Sequence, residues 1–165
     1  MSKSEENLRA AFAGESQANR KYLAFAAKAD QEGHPQVARL FRAAAEAETI
    51  HAHNHLRALN GIKSTQENLQ EAIAGETHEF KKMYPEMIQA AKAESNNVAE
   101  KTFSYANGVE KNHAELYQKL LSSLGKAQES YSYYVCPVCG YTAEKAAPGV
   151  CPICGVKGEM FKKVE

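Results

Sequence analysis

Apolar residues recur every three or four positions from Lys3 to Leu124, and the stripes they draw are broken by acids and histidines at the same phase. One stripe runs Leu8, Phe12, Glu15, Tyr22. A second runs Val37, Phe41, Ala44, Glu48, His51, His55, Leu59, a third Leu69, Ile73, Glu76, Phe80, Met83, and a fourth Phe103, Ala106, Glu110, His113, Tyr117, Leu120. That spacing is one face of a helix, and it predicts four helices of about 25 residues each. Breakers separate them: Gly33-His34-Pro35, then Asn60-Gly61 with Ser64-Thr65, then Ser95-Asn96-Asn97, and Gly125 at the end. Helices this polar are not stable singly and must pack, so the expected architecture is a four-helix bundle with a glutamate pointing inward from every helix.

The pattern changes at Lys126. Residues 126–134 form a polar, Tyr-rich linker, and residues 135–165 carry all four cysteines, three prolines and closely spaced glycines. The bundle is therefore assigned to residues 1–125. A tail this short cannot fold on apolar burial alone and needs a metal staple. Twenty basic and twenty acidic residues give zero formal charge, which removes the electrostatic drive for nucleic acid or a membrane surface. No apolar run reaches the roughly 20 residues of a membrane span, and the N-terminus has no apolar leader core. A cytoplasmic protein is expected.

The helical part repeats itself. Ala11-Phe-Ala-Gly-Glu-Ser16 matches Ala72-Ile-Ala-Gly-Glu-Thr77 at an offset of 61, and Glu48-x-x-His51 matches Glu110-x-x-His113 at an offset of 62. Two copies of one helical hairpin are expected. Four inward carboxylates cost several kcal/mol each unless a cation neutralises them. Glutamates from two helices with Glu-x-x-His from the other two form the carboxylate di-metal arrangement of ferritin-like bundles, suited to iron or manganese. The expected metal ligands are Glu15, Glu48, His51, Glu76, Glu110 and His113, and Glu79, a further inward acid whose repeat counterpart is Ala18, is expected to join them. Tyr22 and Tyr84 follow Glu15 and Glu76 by about two helical turns, where a phenol can serve the site or simply pack. His55 suits packing or a place supporting the ligands from behind, and His34, His53 and His78 lie off the stripes.

The tail reads Cys136-Pro-Val-Cys139-Gly and, after eleven residues, Cys151-Pro-Ile-Cys154-Gly. Two such pairs make a tetrathiolate site that accepts structural zinc or redox iron. Beside a di-iron bundle, a one-electron iron is the better fit.

Taken together, Phe12-Ala-Gly-Glu-Ser16, the two Glu-x-x-His motifs, Gly75-Glu-Thr-His-Glu79 with Met83-Tyr-Pro85, and the two cysteine knuckles resemble the rubrerythrin family over nearly the whole chain. The resemblance implies a mainly α fold, a ferritin-like four-helix bundle followed by a small rubredoxin-like β module. It also implies reduction of hydrogen peroxide to water at a non-heme di-iron centre, with electrons arriving through a rubredoxin-like iron, as protection against oxidative stress. Glu48 and Glu110 would bridge the irons, Glu15 and Glu76 would be terminal ligands, and His113 would bind the second iron. His51 and Glu79 would exchange on the first with redox state, and Tyr22 and Tyr84 would lie just outside the ligands. Charge supports the exchange: four glutamates balance two ferrous ions, whereas two ferric ions carry two further charges and favour a fifth carboxylate. No Gly-rich dinucleotide fingerprint is present, so electrons would come from an external donor or reductase. Two other functions are compatible with the residues: a ferroxidase or iron-handling protein, and a metal-stapled interaction protein whose tail is a zinc ribbon.

The twofold repeat makes the second and third helices run in the same direction, so their connection must cross the bundle. The helical lengths between Glu48 and Glu76 amount to about 33 Å at about 1.5 Å per residue, whereas residues 60–65 stretch to about 20 Å. A homodimer swapped through 60–65 is therefore expected, with Glu15, Glu48 and His51 of one subunit facing Glu76, Glu79, Glu110 and His113 of the other, and a simple up-down-up-down bundle within one chain is the alternative.

Overall fold

Capping residues mark where each helix begins. The Ser2 side chain accepts from the Glu5 amide ahead of α1 (Lys3–Gln31), and Pro35 opens α2 (Pro35–Ala58) after a turn in which Gly33 takes φ 78°. Ser64 and Glu67 form a reciprocal capping box ahead of α3 (Thr65–His78), and the Asn96 side chain accepts from the Ala99 amide ahead of α5 (Asn97–Ser123). Each such cap satisfies amides that have no partner inside the helix. The computed structural model describes residues 2–127 and 129–165. Position 1 of the expected bundle and position 128 of the expected linker lie outside the described residues.

The third predicted helix is not one regular helix. A π turn, Glu79–Met83, separates α3 from α4 (Tyr84–Ala93). The internal repeat explains it. Seven residues separate Glu15 from Tyr22, but eight separate Glu76 from Tyr84. A π turn absorbs one extra residue without breaking the helix, so the slip in repeat offset from 61 to 62 falls at this turn.

The chain forms two compact units, residues up to Lys63 and residues from Ser64 onward. In the first, α1 and α2 form a hairpin whose contact is built from small residues. Ala26, Ala29, Ala38, Ala45 and Ala52 are buried, which brings the two backbones close together. Phe41 packs on this cluster and meets Tyr22 in a tilted contact and Phe25 edge-on, at centroid distances of 6.0 and 5.5 Å. The Arg42 guanidinium reaches Asp30 at 2.7 Å and ties the turn end together.

In the second unit α3, the π turn and α4 lie along α5, with Ala91, Val109 and Ala114 buried. Tyr84 pairs with Phe103 at 6.3 Å, repeating the Tyr22–Phe41 contact one hairpin later. The cysteine module is a three-stranded antiparallel sheet in the order β2 (Thr142–Glu144), β1 (Tyr133–Val135), β3 (Lys162–Val164). Its core is Cys136, Cys151 and Phe161. Gly140 and Gly155 close the two knuckles at φ 88° and 78°, a left-handed conformation that favours glycine, and their amides donate to the Cys136 and Cys151 carbonyls at 3.0 Å. The module is seated on α5. Ile153 fills the notch left by Gly108, and the Lys119 ammonium reaches the Glu144 carboxylate at 2.7 Å. Among the described residues no helix is long and apolar enough to cross a membrane.

A Cβ on Gly108 would lie 3.1 Å from Ile153 Cδ1. Gly108→Leu should keep the helix content, since leaving glycine favours helix by roughly 0.8–1 kcal/mol, yet lift the module off α5. Proteolysis within residues 126–134 should then run faster than in the parent, with Gly108→Ala intermediate.

Candidate metal centres

The helical spacing brings acids and imidazoles together in two places. In the first unit, ligand atoms of Glu15, Glu48 and His51 all lie within 4.8 Å of one another. His51 Nδ1 is 2.9 Å from Glu48 Oε2 and 3.8 Å from Glu15 Oε1. In the second, ligand atoms of Glu76, Glu110 and His113 likewise lie within 4.8 Å of one another. There His113 Nδ1 is 2.9 Å from Glu110 Oε2 and 3.7 Å from Glu76 Oε1. The repeat read from sequence is thus a repeat of geometry. Glu-x-x-His places both side chains on one helical face, and the facing helix adds the second carboxylate.

The two triads differ in surroundings. The His51 side chain is 54% exposed, the His113 side chain 28%. Burial, and next to it the charge of Glu110, raises the Glu76 carboxyl above its ordinary range, with the His113 charge opposing. Burial also raises the Tyr84 and Tyr117 phenols, and Glu76 and Glu110 add to both, so each holds its proton firmly as a hydrogen-bond donor. Glu79, at the first residue of the π turn, stands outside the triad, but its charge acts on the same Tyr84 phenol. Tyr22 sits in the aromatic cluster of the first hairpin.

The four cysteines are unpaired and close together. Sulfurs of Cys136 and Cys154 are 3.5 Å apart, as are those of Cys139 and Cys151. Tetrahedral coordination with metal–sulfur bonds of about 2.3 Å puts neighbouring sulfurs about 3.8 Å apart, so this cage fits a tetrathiolate metal with little adjustment. Burial pushes the Cys136 thiol up, but the Cys139 and Val138 amides and neighbouring thiols outweigh it and bring it to about 7. Burial raises the Cys139 thiol. Four thiolates need a cation to coexist here. The donor chemistry of the paired acids fits the same conclusion: two carboxylates and one imidazole per triad balance one divalent ion.

Sequence reasoning missed three residues near His113. Thr142 Oγ1 lies 3.1 Å from His113 Nε2, and Asn112 Oδ1 accepts the Thr142 amide at 3.3 Å. Tyr117, read only as a stripe residue, lines a cavity of about 220 Å³ with His113, Leu116, Leu120, Tyr133 and Thr142. The repeat aligns Tyr117 with His55, and that chemical mismatch was the available signal.

Comparison with known proteins follows the same division of the chain. A family model described as Rubrerythrin matches residues 6–121, and one described as Rubrerythrin, rubredoxin-like domain matches residues 134–162. Rubrerythrin-2 of Clostridium acetobutylicum is 39% identical over 151 residues, covering 82% of this chain and 82% of that protein. Nigerythrin of Nitratidesulfovibrio vulgaris is 36% identical over 150 residues, covering 82% of this chain and 74% of that protein. A solved structure of nigerythrin in its fully reduced, all-ferrous state has a TM-score of 0.60 at 34% identity, covering 99% of this chain and 88% of that one.

The raised Glu76 carboxyl sets a pH dependence for the metal-free protein. A carboxyl that holds its proton more tightly in the folded chain stabilises fully below its unfolded range and loses that contribution as pH rises through the raised value. Glu76→Gln should therefore melt like the parent at about pH 4 and above it at about pH 7.5 when a chelator is present. Excess divalent cation should reverse the order at the higher pH.

Proposed function

The chain belongs to the rubrerythrin family, a family of oxidoreductases, and on that premise we propose that it is a peroxidase that reduces hydrogen peroxide to water. Its fold is the ferritin-like helical fold with a C-terminal rubredoxin-like module, and its cofactors are a carboxylate di-iron site and an iron held by the four cysteines. The observation that carries the peroxidase reading is the seating of the tetrathiolate module on α5, the helix that bears Glu110 and His113. A ferroxidase has no use for a one-electron sulfur-ligated site there, and a zinc ribbon has no use for the neighbouring acids.

When bound, the iron pair would supply the two electrons that, with two protons from solvent, reduce peroxide to two waters, and the tetrathiolate iron would return electrons one at a time. Glu48 and Glu110 would be shared between the two ions, and Glu15 and Glu76 would each hold one. His113 is the fixed imidazole of the second position. His51 is more than half exposed and, among the described residues, makes no hydrogen bond at Nε2, which suits a ligand that leaves when Glu79 enters. Tyr84, kept protonated by burial and by the nearby acids, donates toward an oxygen of the incoming peroxide, and Tyr22 takes the equivalent place on the other hairpin. The unpaired thiols suit a reducing compartment, the cytoplasm, where a separate reductase recharges the module. Protection against peroxide stress is the role that follows.

The active form we infer is a homodimer swapped through residues 60–65. Support comes from the first hairpin, whose triad imidazole is exposed and whose surface carries Phe25, Val37, Leu40 and Ile50 at 47%, 49%, 68% and 54% exposure. Such apolar surface calls for a partner. Residues 59–64 connect α2 to α3, and six residues reach at most about 20 Å, short of the span that a site completed within one chain requires.

Anaerobically reduced protein mixed with peroxide should reoxidise much faster than the same protein mixed with dioxygen, followed by the returning colour of both iron sites. Equal rates, or a preference for dioxygen, would replace the peroxidase by a ferroxidase. For the swap, chains carrying Glu48→Ala with His51→Ala are refolded together with chains carrying Glu110→Ala with His113→Ala. Swapped mixed dimers regain one intact site of two, about a quarter of parental activity for random pairing. Without a swap every site stays broken and the mixture is inactive.

A further inference from the structure

The two triads match within 0.1 Å at Nδ1, yet only one imidazole is held from behind. Thr142 of β2 stands over α5 with its amide donating to Asn112 Oδ1 at 3.3 Å and its hydroxyl donating to the Gly140 carbonyl at 3.2 Å. A hydroxyl has a single proton. With that proton on the Gly140 carbonyl, the Thr142 oxygen is left as an acceptor, and the group 3.1 Å away, His113 Nε2, must donate. A neutral imidazole that carries its proton on Nε2 presents a bare lone pair at Nδ1. That lone pair faces Glu110 Oε2 at 2.9 Å and Glu76 Oε1 at 3.7 Å, an arrangement that is repulsive unless a cation lies among the three atoms. Among the described residues His51 has no such support.

We propose that Thr142 is a positioning residue of the metal site: held by the Gly140 carbonyl of the cysteine knuckle, its hydroxyl fixes the tautomer and ring plane of His113 so that Nδ1 stays aimed between Glu76 and Glu110. The inference rests on the reading of that triad as metal-binding. It assigns the permanence of one imidazole and the freedom of the other to a residue outside the helical domain. It also makes the geometry of the helical site depend on the docking of the cysteine module, because Gly140 directly follows Cys139. Partners behind a metal-bound imidazole commonly change metal affinity by about 10–100-fold.

The test uses the full-length protein and the variants Thr142→Val, which keeps the β-branched shape and removes the hydroxyl, and Thr142→Ser, which restores the hydroxyl. Anaerobically reduced, iron-loaded protein is challenged with a ferrous chelator, and the tetrathiolate colour that returns on reoxidation serves as an internal reference for the module. Thr142→Val should release the helical-site iron about tenfold or more faster than the parent, with Thr142→Ser close to the parent and the module colour unchanged in all three. Zinc-loaded protein is read by NMR: the parent and Thr142→Ser should show a slowly exchanging His113 Nε2 proton, and Thr142→Val should not. His51 should show no such proton in any form, a comparison that needs no variant. Parental release rates in Thr142→Val, or an equally protected proton on His51, overturn the proposal. A parent that binds iron only in the cysteine module overturns the underlying reading of the triad instead.

Discussion

Carboxylates gathered on the inner faces of helices repel one another and resist leaving water, and that conflict governs the helical part of this chain. Each triad places two glutamates within reach of a single imidazole, and in the second unit the strain registers as a raised Glu76 carboxyl. A divalent cation turns repulsion into coordination, so the metal stabilises the same residues that bind it. The alanine seam of the first hairpin serves that end, because backbones separated only by Ala26, Ala38 and Ala45 bring Glu15 and Glu48 onto adjoining turns. The cysteine module obeys the same logic with sulfur, its closely packed thiols being unable to ionise together without a cation.

The helices and triads were legible because helical periodicity is local and the chemistry interrupts it at regular places. Glu48 and His51 stand in phase with Val37, Phe41 and Leu59, and no tertiary information is needed to see that they share a face. The breaks at Ser64-Thr65 and Ser95-Asn96-Asn97 were legible as well, and in the structure Ser64 and Asn96 cap the helices that follow. The π turn was written in the sequence only as a slip of one residue between two repeat offsets, which periodicity within a single helix does not reveal. Thr142 was invisible for a different reason. Its partner His113 is 29 positions away, and a threonine in a three-residue strand carries no pattern that points to an imidazole on a helix.

The two cysteine knuckles repeat each other as the two hairpins do, and in both cases the copies have acquired different surroundings. Ile153 of the second knuckle fills the Gly108 notch, whereas Val138, its counterpart in the first, is 55% exposed. One end of the module is thereby committed to α5 and the other is left to solvent. The glycine decides which, since a larger residue at 108 would obstruct the seat.

The π turn has a consequence for symmetry. Two identical hairpins would build a centre whose halves are interchangeable, with nothing to distinguish the first metal position from the second. The π turn absorbs the residue inserted between Glu76 and Tyr84, so that Tyr84 meets Phe103 as its counterpart Tyr22 meets Phe41, and the turn opens on a lone acid, Glu79, where the other copy has Ala18. A duplicated scaffold thus acquires polarity from a change too small to disturb the helix around it, and an ancestor with equal halves would be converted into a device with a front and a back.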